Sequence, residues 1–266
     1  MNAGGDITPP GHPIVLLTDF GVTDWFAGEM KGAILSIAPH TVIVDLTHCI
    51  ATGDLLKAAF TLLASYRSFP PGSIFIASVS YGNTKQDVIA AHSDGYTFLG
   101  PDNGILSWVL NNESEVRQIE IFKYIKSTDC ATFPARDLLC PLAARLSQGL
   151  PFSECGPVRS SYTKLDLPPL KITKENINGS IIYIDCFGNA ITSIPNSTFL
   201  EHSGGASKVN LNQMELYIGS HYSEVSKGEL LVYPGSAGFI EIGANEENAA
   251  ERLKLKTGSE IQFKRL

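Results

Sequence analysis

Pro13-Ile14-Val15-Leu16-Leu17 is apolar without a break, and Thr18-Asp19-Phe20-Gly21 follows it at once. A strand that shows one face to water alternates apolar and polar residues, whereas an unbroken apolar run has to be covered on both faces. This run therefore reads as an inner strand of a parallel sheet with helices above and below, its first polar residues lying at its carboxyl end. The segments after it continue the pattern. Residues 24–37 place Phe26, Met30, Ala33, Ile34 and Ile37 at helical spacing, and Pro39 stops the helix. A second strand is expected over 41–46. A second helix over 54–66 has Leu55, Ala58, Ala59, Leu62 and Leu63 on one face, and a third strand covers 73–79. Residues 88–92 and 97–100 form a hairpin around Ser93-Asp94-Gly95. A short helix is expected from Ile105 to Leu110, and a stronger one from Arg136 to Ser147, closed by Gly149 and Pro151.

This alternation predicts an α/β N-terminal domain with a mainly parallel sheet over residues 1–159. The pattern changes after Gly156. Residues 160–178 are polar, contain Pro168-Pro169 and show no helical face, so they read as a linker. Strands then dominate, at 180–184, 190–194, 208–211, 214–218, 229–233, 238–242 and 259–264, separated by turn signals. Their spacing of about 8–12 residues predicts a smaller all-β barrel domain over 179–266.

Ligands of open α/β sheets bind beyond the carboxyl ends of the strands, which is where Asp19 and Ser80-Tyr81 fall. Further segments set polar residues beside glycines at strand ends: Gly100-Pro101-Asp102-Asn103-Gly104, Asp185-Cys186-Phe187-Gly188-Asn189, and Gly235-Ser236-Ala237-Gly238 with Asn245 beyond it. Backbone approaches a ligand closely at glycine, and a few side chains then fix its orientation. Each segment also has a plain structural reading. Asp19 either receives the vicinal hydroxyls of a ribose or makes a helix cap or Asx-turn. Asp24 either pairs with a ligand ammonium or caps the following helix. Phe187-Gly188-Asn189 fits a hairpin turn, and the Ser236 loop fits a tight turn or a backbone nest for a carboxylate.

Charge and composition exclude several partners. The net charge is −7, the pI is near 5.4 and no long Lys/Arg run occurs, so no nucleic-acid partner is expected. No apolar run approaches the ~20 residues of a membrane helix, and the Gly/Pro-rich start is not a signal peptide, so no membrane partner is expected either. The five cysteines are odd in number and lack CxxC spacing, as expected of a cytoplasmic protein without disulfides or zinc. The six histidines show no ligand spacing and read as structural or surface residues. No nucleophile triad, metal cluster or acid–base pair stands out.

Together these segments resemble the family of S-adenosylmethionine (SAM) hydroxide adenosyltransferases, which also includes fluorinase and chlorinase enzymes. The likeness runs over nearly the whole chain. In family order stand Thr18-Asp19-Phe20-Gly21, Met30-Lys31-Gly32, Val44-Asp45-Leu46-Thr47-His48, Phe69-Pro70-Pro71-Gly72-Ser73, Pro101-Asp102-Asn103-Gly104, Thr132-Phe133 with Arg136-Asp137, Asp185 with Phe187-Gly188-Asn189, and Gly235-Ser236 with Gly238-Phe239. The resemblance implies a homotrimer holding SAM at subunit interfaces. It implies SN2 attack of a small nucleophile on C5′ of the ribose, with L-methionine leaving and no cofactor, SAM being a substrate. Water would give adenosine, and halide a 5′-halo-5′-deoxyadenosine. By match, Asp19 would hold the ribose hydroxyls, and Asp24, Asp185 and Ser236 the methionine ammonium and carboxylate. Asn189 and the Ala244-Asn245 backbone would face adenine, with Phe187 packing nearby.

The chain departs from its water-using relatives at three positions. Those members carry Asp-Pro-Gly-Val-Gly with a following Arg, and a His after Thr-Phe. Here Ser80 stands at the Asp position, Lys85 or Gln86 at the Arg position and Pro134 at the His position. Halide users have a Tyr in the first segment and a small residue in the second, which Tyr81 and Ala135 match, flanked by Thr84 and Phe133. The catalytic pocket expected from the resemblance is therefore Ser80, Tyr81, Thr84, Phe133 and Ala135, with the nucleophile open between a halide such as chloride and water. The alternative from another class is a catalytically silent SAM- or adenosine-binding protein, motivated by the loss of all three water-handling residues.

Overall fold

The computed structural model describes residues 11–79, 87–120 and 132–266, in two compact units, Met1–Leu165 and Asp166–Leu266. The first unit opens with β1 (Ile14–Thr18), α1 (Phe26–Leu35), β2 (Ile43–Thr47), α2 (Leu55–Ser65) and β3 (Ile74–Ser78). The hairpin β4 (Val88–Ser93) and β5 (Tyr96–Pro101) follows, then β6 (Glu115–Gln118), a π-helical turn at Ala135–Leu139 and α3 (Cys140–Ser147). The sheet order is β2-β1-β3-β5-β4-β6. The strands β2, β1, β3 and β5 pair in parallel, while β4 and β6 are antiparallel additions.

The unbroken apolar run is accounted for by what covers β1. Ile14 and Leu16 join one core with Met30 and Ile34 of α1 and Leu142 and Ala143 of α3. Val15 and Leu17 join a second core with Ala58 and Leu62 of α2, Phe75 and Phe98. Successive side chains of a strand point to opposite faces, so a strand between two helical layers needs apolar residues at every position. From β1 the chain crosses to β2 on one side and then to β3 on the other. That reversal leaves a crevice at the carboxyl ends of β1 and β3, the switch point of an open α/β sheet.

The second unit begins with β7 (Lys171–Ile172), β8 (Asn176–Ile184), β9 (Ala190–Pro195), α4 (Asn196–Ser203), β10 (Lys208–Leu211) and β11 (Met214–Ile218). It ends with β12 (Leu230–Pro234), β13 (Phe239–Ala244), α5 (Ala249–Leu253) and β14 (Glu260–Arg265). The order β14-β10-β11-β12-β13-β9-β8 is closed by pairing of β14 with β8, giving a seven-stranded barrel with β7 appended to β8. Its interior holds Ile177, Ile181, Ile194, Val232, Ile242 and Ile261. Phe199 of α4 meets Phe263 edge-on inside, with ring centroids 5.1 Å apart.

Several local expectations change. Residues 105–109 form consecutive turns rather than a helix. Asn103 holds that start, its side-chain oxygen accepting from Ile105 N at 3.2 Å, so local Asx bonding replaces a helical one. The strand β6 and the short helices α4 and α5 have no counterpart in the sequence reading. Within residues 160–178, Thr163 N donates to Asp102 and Leu165 O accepts from Trp108, while β7 and the start of β8 occupy the later part. Phe98 is fully buried and stacks on Phe75 at 5.3 Å. Phe98→Ala should cost about 3–5 kcal/mol, read as a lower urea midpoint at an unchanged slope.

Candidate functional site

At the carboxyl end of β1, Asp19 is half-buried and its Oδ2 accepts from Gly53 N at 3.1 Å. A carboxylate offers about four acceptor positions, so this single bond leaves room for two hydroxyl donors. The segment around Asp19 is held by a chain of hydrogen bonds running from the buried Thr18 and His48 out to the partly exposed Asp45 and Lys31. Thr18 Oγ1 lies 2.8 Å from His48 Nδ1, His48 Nε2 lies 3.0 Å from Asp45 Oδ1, and Lys31 Nζ lies 2.6 Å from Asp45 Oδ2. Burial works to raise the Asp45 carboxyl, but the bonds from Lys31 and His48 outweigh it and hold the group below its ordinary value. Asp24 is exposed and does not cap α1; the cap position is Trp25, with no side-chain bond.

An aromatic cluster stands beside Asp19. Phe133 meets Phe20 at 5.4 Å and Phe26 at 5.5 Å, both edge-on, and Arg136 lies over the Phe133 ring at 5.1 Å. Arg136 is anchored to Asp137 and Glu29. Phe133 and Ala135 are both buried in the core shared with α1 and α3. At the neighbouring strand end, Asn103 Nδ2 donates to Val79 O at 2.9 Å, tying the loop after β5 to the end of β3. Gly100 belongs to that arrangement, since a Cβ there would stand 2.6 Å from Ala77 O. Ser80, Tyr81 and Thr84, with Lys85 and Gln86, lie outside the described residues.

In the barrel unit, the loop between β8 and β9 wraps around Asp185. Its Oδ1 accepts from Phe187 N at 2.9 Å and Asn189 N at 2.8 Å, and its Oδ2 accepts from Asn189 Nδ2 at 2.9 Å. Gly188 takes a positive φ of 85°, and a Cβ there would collide with Asn248. Phe187 is thereby pushed outward, 75% exposed. Ser236 is exposed on the turn between β12 and β13, whose Gly235 O accepts from Asn196 Nδ2. Ala244 is buried at the end of β13. Asn245 is tied to the segment before β12: its amide donates to Glu229 O, its carbonyl accepts from Gly228 N, and its side chain donates to Val225 O.

Asp19, Phe133 and Ala135 thus share one end of the first unit. Asp185, Phe187 and Asn189 share one loop of the second. Two residues absent from the sequence reading join the second group. Tyr233 and Glu241 face each other across β12 and β13, and the Tyr233 hydroxyl bonds the Glu241 carboxyl. Asn189 Oδ1 and the Tyr233 ring both crowd Gly243, whose Cβ would meet them at 2.9 and 2.8 Å. Burial raises the Glu241 carboxyl above its ordinary value, and the nearby Asp185 charge adds to the rise, against the Tyr233 bond. The available signal was alternation, since Glu241 sits between the inward-facing Ile240 and Ile242. Among the described residues, no group of three or more His, Cys, Asp or Glu is placed to hold a metal ion.

Residues 14–156 match the family description "SAM hydroxide adenosyltransferase N-terminal domain", and residues 179–262 match the corresponding C-terminal domain. The chain belongs to the SAM hydroxide adenosyltransferase family. A Thermus thermophilus relative named (R)-S-adenosyl-L-methionine hydrolase is 32% identical over 265 residues, covering 95% of this chain and 99% of its own. An Actinoplanes relative named fluorinase is 26% identical over 288 residues, covering 93% and 96%. The crystal structure of an uncharacterized conserved protein from Thermotoga maritima superposes with a TM-score of 0.86 at 33% identity, over 95% of this chain and all of that one. This SAM hydroxide adenosyltransferase fold therefore extends through both units.

Glu241 gives the site a pH signature. Its raised folded value means that the neutral acid favours the fold fully below the unfolded value near 4.5, and that this contribution is lost as pH rises through the folded value. Glu241→Gln keeps a neutral side chain at every pH. Its stability relative to wild type should therefore improve from pH 4 towards pH 8, as followed by thermal melts; a pH-independent difference would remove Glu241 from this account.

Proposed function

We propose that the chain cleaves S-adenosyl-L-methionine at C5′ of the ribose by SN2 attack of a small nucleophile, water or a halide such as chloride. The observation that carries this reading is Asp19 at the switch-point crevice, in a chain that the family matches along both units. In the step itself the new bond forms at C5′, the C5′–S bond breaks, and its electron pair returns to sulfur. L-Methionine leaves as a neutral thioether. The other product is adenosine, with loss of a proton, or a 5′-halo-5′-deoxyadenosine. A sulfonium leaves without protonation, so the protein's tasks are to align the nucleophile, strip its water and fix the ribose. SAM is a substrate here, and the reading gives the reaction no cofactor.

The site residues take these roles in the proposal. Asp19 receives the two ribose hydroxyls. Asp24, Asp185 and Ser236 bind the ammonium and carboxylate of the methionine part. The proximity of the Asp185 charge to the Glu241 carboxyl supports a cation there, because a positive group relieves the repulsion between them. Asn189, Ala244 and Asn245 border adenine, with the exposed Phe187 ring packing beside it. Phe133 and Ala135 form the apolar side of the nucleophile pocket, completed by Ser80, Tyr81 and Thr84. Assembly as a homotrimer with SAM at subunit interfaces, and a cytoplasmic location, belong to the same proposal. No helix among the described residues is long and apolar enough to cross a membrane.

Equilibrium binding of adenosine and 2′-deoxyadenosine tests the ribose contact. A hydrogen bond to a charged group is worth about 1.5–3 kcal/mol. Asp19→Ala should therefore remove two such bonds from adenosine and one from 2′-deoxyadenosine, weakening adenosine roughly 10- to 100-fold more than 2′-deoxyadenosine. Equal losses, or none, would take Asp19 out of the site.

A further inference from the structure

We infer that His48 is the positioning residue for Asp19, holding the backbone on both sides of it; this rests on the reading of Asp19 as the ribose ligand. On the β3 side the sheet holds β1 as far as Thr18 opposite Ser78, but on the β2 side it stops earlier. β1 and β2 pair residue for residue from Ile14 and Ile43, but the register slips between Leu16 and Leu17, and Leu17 opposite Thr47 is the last pair. Beyond that point the β1–β2 ladder no longer fixes the chain, and Asp19 is two residues further on.

His48 takes over with its side chain and its backbone. Its Nδ1 lies 2.8 Å from the hydroxyl of Thr18, the residue before Asp19. The same hydroxyl oxygen accepts from Phe20 N, the residue after Asp19, at 3.3 Å. The His48 carbonyl accepts from Gly21 N at 2.7 Å, where the chain turns at a φ of +72°. Residues 18, 20 and 21 are thus tethered to His48 directly or through one atom, and Asp19 is the residue they enclose. Thr18 is fully buried and His48 is 4% exposed, so water does not compete for these bonds.

The donors and acceptors fix the tautomer. An ionised Asp45 only accepts, so His48 Nε2 carries a hydrogen towards it. Thr18 then donates its hydroxyl hydrogen to Nδ1 and keeps a lone pair for Phe20 N, and every group is paired. Reversing the imidazole would point Nδ1–H at Thr18 and leave that buried hydroxyl hydrogen without an acceptor among the hydrogen bonds of the described residues. The network therefore has one direction, running from Lys31 on α1 through Asp45 and His48 to the backbone around Asp19.

The test separates positioning from plain stability through the adenosine to 2′-deoxyadenosine affinity ratio, measured well below each variant's melting temperature. His48→Ala should lower the ratio at least about fivefold, since small misplacements of a positioned group are costly. His48→Asn, whose amide oxygen can still accept from Thr18, should recover part of it. In the Asp19→Ala background, adding His48→Ala should change the ratio no further. Should His48→Ala fail to fold, Thr18→Val carries the same expectation. A wild-type ratio in folded His48→Ala or Thr18→Val, with only the melting temperature lowered, would overturn the inference while leaving the ribose reading intact. A wild-type ratio in Asp19→Ala would instead overturn the ribose reading, and this inference with it.

Discussion

The strand β1 is buried on both faces and paired on both edges, and the first unit is arranged around that constraint. Ile14 and Leu16 need the α1 and α3 layer, Val15 and Leu17 need the α2 layer, and β2 and β3 satisfy its backbone groups. Such a strand has one place where polar chemistry is admissible, its carboxyl end. Because the chain leaves β1 for β2 on one side and returns for β3 on the other, that end also opens into a crevice. The position of Asp19 follows from burial and topology before any substrate is considered.

The barrel unit solves a different problem. Apart from β9, which is buried from Ala190 to Ile194, its strands leave outward residues partly exposed, and specific placement has to come from loops and turns. Asp185 provides it by collecting two backbone amides and one side-chain amide into its own turn. Glycine is required there: Gly188 has a positive φ and contacts Asn248, and Gly243 passes beneath Tyr233 and Asn189. Burial raises the Glu241 carboxyl on the neighbouring strand, and the charge of Asp185, itself held by three hydrogen bonds, adds to that rise.

The strand and helix order of the first unit was legible because burial on two faces leaves a run of apolar residues that no loop imitates. The barrel strands were legible through turn spacing and alternation. The helices α4 and α5 were not, since each is a short segment without its own apolar period, and Phe199 is the one large apolar side chain that α4 buries. The 105–109 segment misled because its apolar residues Ile105, Leu106 and Val109 match a helical face, while Asn103 diverts the backbone into turns. Candidate residues stood out in the sequence where they lay beside glycine at strand ends. His48 and Glu241 did not, because their partners Thr18 and Tyr233 lie far away in sequence or across a strand pair, and neither adjoins a glycine.

The proposed reaction is a displacement at C5′. The most direct measurement incubates the purified protein with SAM in ¹⁸O-labelled water, with and without chloride, and resolves the products by chromatography and mass. The account predicts methionine released one for one with a nucleoside that carries the nucleophile at C5′, either ¹⁸O-labelled adenosine or 5′-chloro-5′-deoxyadenosine. SAM bound but left intact, or fragments cut at another carbon of the sulfonium, would contradict it.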